Sequence, residues 1–210
     1  MIRVKRLDEP SVLAEKKAEW QSKYDASAKR RPESKQYAHP QIVARLRTMS
    51  HGKCFYCEAS GKMTVDHYIE VAERRDLTFA WENLYLACPD CQGKKLPNKT
   101  IPASDCVDPC DEATDPADHL TFDAESISWR TPRGEQTVKK YQLNRELLDL
   151  ERARSLRAFC DEVIGLTRTK SLKEIGPAER ERLLRYGRGD APFSSMFRAH
   201  FERHGLLRDA

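Results

Sequence analysis

The chain has 210 residues, 33% of them charged, a net charge of +4 and a mean hydropathy of -0.74. Three Trp, seven Tyr and seven Phe are too many aromatic side chains for a disordered chain, and no run approaches the roughly 18 apolar residues of a membrane span. Met1–Glu9 is charged rather than leader-like, so the expected setting is cytoplasmic, with no membrane partner.

Ile2, Val4 and Leu7 alternate loosely with Arg and Lys, which predicts a strand over Met1–Leu7. Pro10 and Ser11 open a helix that runs through Trp20 to Tyr24, and Pro40 opens a second that Gly52 ends just before Cys54. Thr64–Val71 and Leu84–Ala87 read as short strands, with a helix starting after Cys91. Four prolines and six acids across 97–118 predict a connecting loop. His119–Trp129 reads as a hairpin. Behind an Asn144 N-cap, Leu147, Leu150, Leu156, Phe159, Val163 and Leu166 recur at helical spacing, giving a core or partner face. Gly165 and Pro177 bracket a further helix reaching about Tyr186, and a last one spans Ser194 to His204.

Seven cysteines without a leader favour reduced thiols, so paired CxxC spacing points to metal rather than disulfides. Cys54, Cys57, Cys88 and Cys91 supply four thiolates, a closed structural Zn²⁺ site with no open position for catalysis. A redox dithiol would need only one pair, and no thioredoxin-like βαβ pattern surrounds these two. Between the clamps stand Asp66 and His67. Strand neighbours point to opposite faces, which suits divided labour: Asp66 as an oxygen ligand for Mg²⁺ or Mn²⁺, His67 as a base held off the metal. Lys94 and Lys95 at the helix start, and Arg74 and Arg75 in the loop before Leu77, are candidate phosphate contacts. Residues 1–100 carry 19 basic and 13 acidic side chains, against 18 and 20 in the remainder, a balance that suits a polyanion. Cys106 and Cys110 read as surface thiols, since a second metal site would have only His119 nearby. Cys160 reads as a small core residue, and His200 and His204 as surface residues.

Cys54-x-x-Cys57, Asp66-His67, Asn83-Leu84, Cys88-x-x-Cys91 and Lys95 together resemble the HNH, or ββα-metal, nucleases. The resemblance implies a mainly α, α+β protein containing a small zinc-stapled ββα unit. In that unit His67 is the general base, Asn83 orients it, and Asp66 and Gln92 hold the catalytic ion, with Lys95 beside them. The family usually has Asn or His where Gln92 stands, and the extra methylene shifts its amide by about 1.5 Å. The wider set, Lys53 to Glu58, Trp81 to Leu84, Val107-Asp108-Pro109 and Thr137–Arg145, resembles HNH effectors of Septu and retron-linked antiphage systems. That implies an SMC- or ABC-like ATPase partner.

The expected organisation is an N-terminal helical arm (1–50), a zinc-bound nuclease core (51–100), a Pro/Asp-rich connection (101–136) and a partner-binding helical region (137–210). The expected function is Mg²⁺-dependent hydrolysis of phosphodiesters, DNA before RNA. Two alternatives stay open: the same chemistry on RNA such as tRNA, and a zinc-ribbon module that binds nucleic acid or protein without cutting.

Overall fold

The computed structural model describes residues 1–205; positions 206–210, the end of the expected C-terminal region, lie outside them. Helices α1 (Ser11–Asp25), α2 (Ser34–Tyr37) and α3 (Pro40–Ser50) form the arm. α3 has Pro40 at its first position and ends in a left-handed His51 followed by Gly52 (φ 74°), the backbone that glycine adopts freely. The expected N-terminal strand does not form. Residues 1–10 make one backbone–backbone bond to a distant segment, Val4 N–H to the Pro109 carbonyl at 2.7 Å. They are anchored instead by Arg6, whose guanidinium donates to the carbonyls of Trp81, Glu82 and Leu84.

Strands β1 (Thr64–His67) and β2 (Leu84–Ala87) pair antiparallel, Thr64 opposite Ala87 and His67 opposite Leu84. β1 stops short of Val71 because the Asn83 side chain takes over the backbone groups of Ile69. Helix α4 (Pro89–Lys94) begins at the second knuckle rather than after Cys91. The Cys88 sulfur accepts the Cys91 N–H, and Pro89 occupies the first helical turn.

Within 97–118 the chain forms a 3₁₀ turn (Ala103–Asp105) and a short α5 (Pro116–His119). The predicted hairpin follows as β3 (Leu120–Asp123) and β4 (Ser126–Trp129), with Leu120 opposite Trp129. Next comes α6 (Pro132–Tyr141), a helix the periodicity did not predict. Its start is signalled by Thr131, whose hydroxyl accepts the Gly134 N–H, and by Pro132. Gly134 is required there, since a Cβ would sit 2.1 Å from the His119 carbonyl oxygen.

Helix α7 (Glu146–Leu166) has its N-cap at Arg145, not Asn144, and runs through Gly165. Its buried face is Leu148, Arg152 and Phe159, while Leu147, Leu150 and Ile164 are exposed. Of the predicted period, Phe159 is buried and Leu156, Val163 and Leu166 pack against the core, so only Leu147 and Leu150 at its start face outward. α8 (Pro177–Leu184) and α9 (Ser194–Arg203) complete the fold. His200 is buried, its Nε2 2.9 Å from the Ala124 carbonyl, and Cys160 is exposed, both the reverse of the expectation. One apolar core runs from Val4 and Leu13 through Tyr56, Leu86 and Tyr141 to Phe197. No described helix is long and apolar enough to cross a membrane.

Candidate active site

The four CxxC sulfurs converge. Cys54, Cys57, Cys88 and Cys91 are buried, with all ligand atoms within 4.8 Å of one another. The first knuckle is a turn closed by Glu58 N–H to the Cys54 carbonyl at 3.0 Å, with Glu58 left-handed at φ 62°. Phe55 N–H bonds the Leu86 carbonyl at 2.9 Å and ties that turn to β2. Four thiolates suit one tetrahedral zinc ion, and the assembly carries a net negative charge that burial disfavours. Arg145 answers it: Nη1 is 3.5 Å from Cys91 Sγ and Nη2 3.9 Å from Cys88 Sγ. Burial opposes the Arg145 charge, but the sulfurs of Cys91, Cys57 and Cys88 hold its pKa above the ordinary value. The donor set fits a structural zinc.

Beside the knuckle, Glu58 is buried under the C-terminal helices. Its carboxylate lies 2.6 Å from the Met1 amine and 3.5 Å from Lys53 Nζ, and accepts the Ser194 hydroxyl at 2.7 Å. Burial pushes its pKa up, and the opposing charges of Met1 and Lys53 more than offset that, leaving it well below the usual carboxylate range.

His67 ends β1. Its Nε2 lies 2.9 Å from the Thr78 carbonyl oxygen. A carbonyl only accepts, so Nε2 carries the proton and Nδ1 is the lone-pair nitrogen. Nδ1 has no hydrogen-bond partner among the described residues. The Tyr37 ring lies over the imidazole at a centroid distance of 5.0 Å. Burial lowers the His67 pKa, the Thr78 bond and Asp66 charge resist, and Lys95 adds to the lowering. Asn83 fixes the loop: its Oδ1 accepts the Ile69 N–H, and its Nδ2 donates to the carbonyls of Ile69 and Leu77.

These parts make a strand–strand–helix unit held by four sulfurs, with one half-covered imidazole at its edge. A family model described as HNH endonuclease matches residues 54–96. No curated protein matches the chain. The match and the sulfur cluster together support a nuclease-type, metal-binding segment.

Within the HNH segment the acid and the amide are placed differently from the sequence expectation. Asp66 Oδ2 accepts from both Tyr56 Oη and Lys95 Nζ, each at 2.8 Å. Lys95 also donates to the His67 carbonyl at 2.5 Å and lies 3.8 Å from Glu70, which in turn is 3.5 Å from the buried Lys140 of α6. Gln92 lies along β1: its Oε1 accepts from Thr64 Oγ1 at 2.9 Å, and its Nε2 donates to the Val65 carbonyl at 3.0 Å. As arranged, the pair offers a divalent ion one uncommitted carboxylate oxygen, Asp66 Oδ1, while the Gln92 amide oxygen is turned to Thr64, which does not fit the ligand set implied for Mg²⁺ or Mn²⁺.

The basic candidates also divide. Lys94 closes α4 rather than opening it and lies 3.8 Å from Asp90. Arg74 is exposed and paired with Asp76 at 2.6 Å. Arg75 is structural. It covers the Tyr24 ring at 3.6 Å and donates to the carbonyls of Tyr24, Ser27 and Lys29, fastening the arm to the HNH segment. Cys106 is buried rather than loose, and burial pushes its pKa to about 11 and that of Cys110 to about 12. His119 Nδ1 bonds Thr131, and the CxxC quartet is the one metal-holding cluster of His, Cys, Asp and Glu among the described residues. Sequence reasoning missed Tyr37, Tyr56, Glu70, Thr78 and Lys140. Of these only Tyr56 and Lys140 stood inside quoted motifs, with nothing to mark their roles.

Proposed function

We propose that the chain is an HNH-type endonuclease that hydrolyses phosphodiesters of nucleic acid, with His67 as the base. One observation carries this reading: His67 has its Nε2 proton fixed on the Thr78 carbonyl, so that Nδ1 is presented as an acceptor at the mouth of the HNH segment. Nδ1 takes the proton of a water molecule, which attacks phosphorus in line with the leaving oxygen. Asn83 is a positioning residue that keeps the Ile69 turn, and with it His67, in register. A divalent ion polarises the phosphate in this class of chemistry; with Asp66 Oδ2 held by Tyr56 and Lys95 and Gln92 engaged along β1, no step is assigned to such an ion here.

DNA is the favoured substrate and RNA the alternative. The basic balance of residues 1–100 supports a polyanion without choosing between them. We place the protein in a cytoplasmic antiphage system with an ATPase partner. The motif resemblance supports that setting, and the exposed Leu147, Leu150 and Ile164 of α7 supply apolar side chains for docking. A second reading, a zinc-stapled binding module that does not cut, is favoured by the engagement of Gln92 along β1.

The test is cleavage of supercoiled plasmid and of total tRNA by zinc-loaded protein with Mg²⁺ or Mn²⁺, beside His67→Ala. Cleavage lost in the variant supports the nuclease and identifies the sugar. Binding without cleavage in both proteins supports the module.

A further inference from the structure

A cavity of about 330 Å³ opens between the end of α1 and the segment leading into α2, near the lower end of the roughly 300–1,000 Å³ typical of ligand sites. Trp20 and Tyr24 wall it, and Lys23, Lys29 and Lys35 stand around it. The walls are backed. Trp20 packs on the buried Phe79 at 5.7 Å, the Arg75 guanidinium covers Tyr24, and Arg75 also holds the carbonyls of Ser27 and Lys29. Arg75 thus shapes this cavity.

The cavity adjoins the candidate active site through α2. Lys35 and Gln36 line it, and the next residue, Tyr37, lies over His67. Its cations are held only by exposed acids: Lys23 by Glu19, and both Lys29 and Lys35 by Glu33. Such exposed pairs are weak and screened by salt, so a phosphate can replace the acids. An aromatic wall beside exposed ammonium groups is the chemistry that takes a nucleobase on its face and the backbone on its charges.

We propose that this cavity is a subsite for one unpaired nucleotide adjoining the scissile phosphate, its base on Trp20 and its phosphates on Lys29 and Lys35. The preferred substrate is therefore single-stranded or locally unpaired nucleic acid. Stacked, paired bases of a duplex do not present a face to Trp20. The proposal rests on the nuclease reading for the placement of the phosphate at His67. The cavity's binding role is measured separately from cleavage.

The experiment is fluorescence anisotropy of a labelled oligonucleotide of about 12 nucleotides, within the span of known single-strand sites, on full-length His67→Ala protein. Arms are single-stranded DNA, RNA of the same sequence, and the blunt DNA duplex. Single strands should bind at least tenfold more tightly than duplex, and the tighter of the two sugars names the substrate. Adding Trp20→Ala should weaken single-strand binding about tenfold, as loss of one stacked base does, and Trp20→Phe should restore most of it. Lys29→Glu and Lys35→Glu, both at exposed positions, should each weaken binding and flatten its salt dependence. Equal affinity for single strand and duplex, or unchanged binding in the Trp20 and lysine variants, overturns the proposal. No cleavage by the parent protein would instead overturn the nuclease reading and leave the binding result standing.

Discussion

Asn83 and Ile69 form a closed pair: the Asn83 amide accepts the Ile69 N–H at 2.7 Å and donates to the Ile69 carbonyl at 3.0 Å. One side chain thereby replaces the strand partner that Ile69 would otherwise need, and the chain leaves β1 just past His67. Asn83→Ala orphans both groups and the Leu77 carbonyl. It should destabilise the protein by about 1–3 kcal/mol, the desolvation cost of an unmet buried polar group. Urea melts give that number. Cleavage should fall more steeply than the folded fraction, because His67 loses its register as well.

The lowered His67 pKa sets the pH dependence. A base acts when neutral, and burial pushes this imidazole below its ordinary value of about 6.5. The acid limb of kcat/KM should therefore fall below about pH 6.5. The neutral form is also the one the fold favours. Its contribution to stability is complete above about pH 6.5, the unfolded value, and is lost as pH drops through the folded one. Tyr37→Ala lets water onto the ring and should move the acid limb upward. A limb that stays put in that variant would remove Tyr37 from the account.

Lys95→Met leaves Asp66 buried with Tyr56 as its remaining partner. Breaking such a pair from one side should cost about 3–5 kcal/mol, read from denaturant melts. The same change removes the ammonium that opposes a divalent ion at Asp66. Mn²⁺ followed by electron paramagnetic resonance should bind the folded variant more tightly than the parent. Weaker Mn²⁺ binding would mean that Lys95 orients Asp66 for the ion.

Arg145→Gln should speed the loss of zinc to a chromophoric chelator by about 10–100-fold, the range for lost partners of metal ligands. Far-UV circular dichroism after complete chelation should show loss of the β1–β2–α4 unit, since small metal units draw much of their stability from the ion. Unchanged ellipticity and protease resistance would contradict that dependence.

The strands and helices with punctuation were legible in the sequence. Proline at a helix start and Gly52 after its end placed α3, and CxxC spacing located the sulfur quartet. α7 was found by its period, with Leu156, Phe159, Val163 and Leu166 against the core, but Arg152 also takes a core position and donates to the Leu143 carbonyl. Periodicity cannot anticipate a buried arginine. Asp66 was assigned by residue type and Gln92 by the motif resemblance. Their partners, Lys95, Tyr56 and Thr64, are chosen by how β1 packs on α4 and α6, which no local pattern encodes. Arg75 was read as free for the same reason.

The reach of Arg145 onto the Cys88 and Cys91 sulfurs has a bearing on portability. A cassette cut at residue 96 keeps every sulfur ligand but leaves behind the cation that balances them, and leaving out α9 removes the hydroxyl of Ser194 from Glu58. Grafted alone into another scaffold, residues 54–96 would inherit the recognisable signature without the host that makes it tolerable. Recombination here should exchange whole chains rather than this segment.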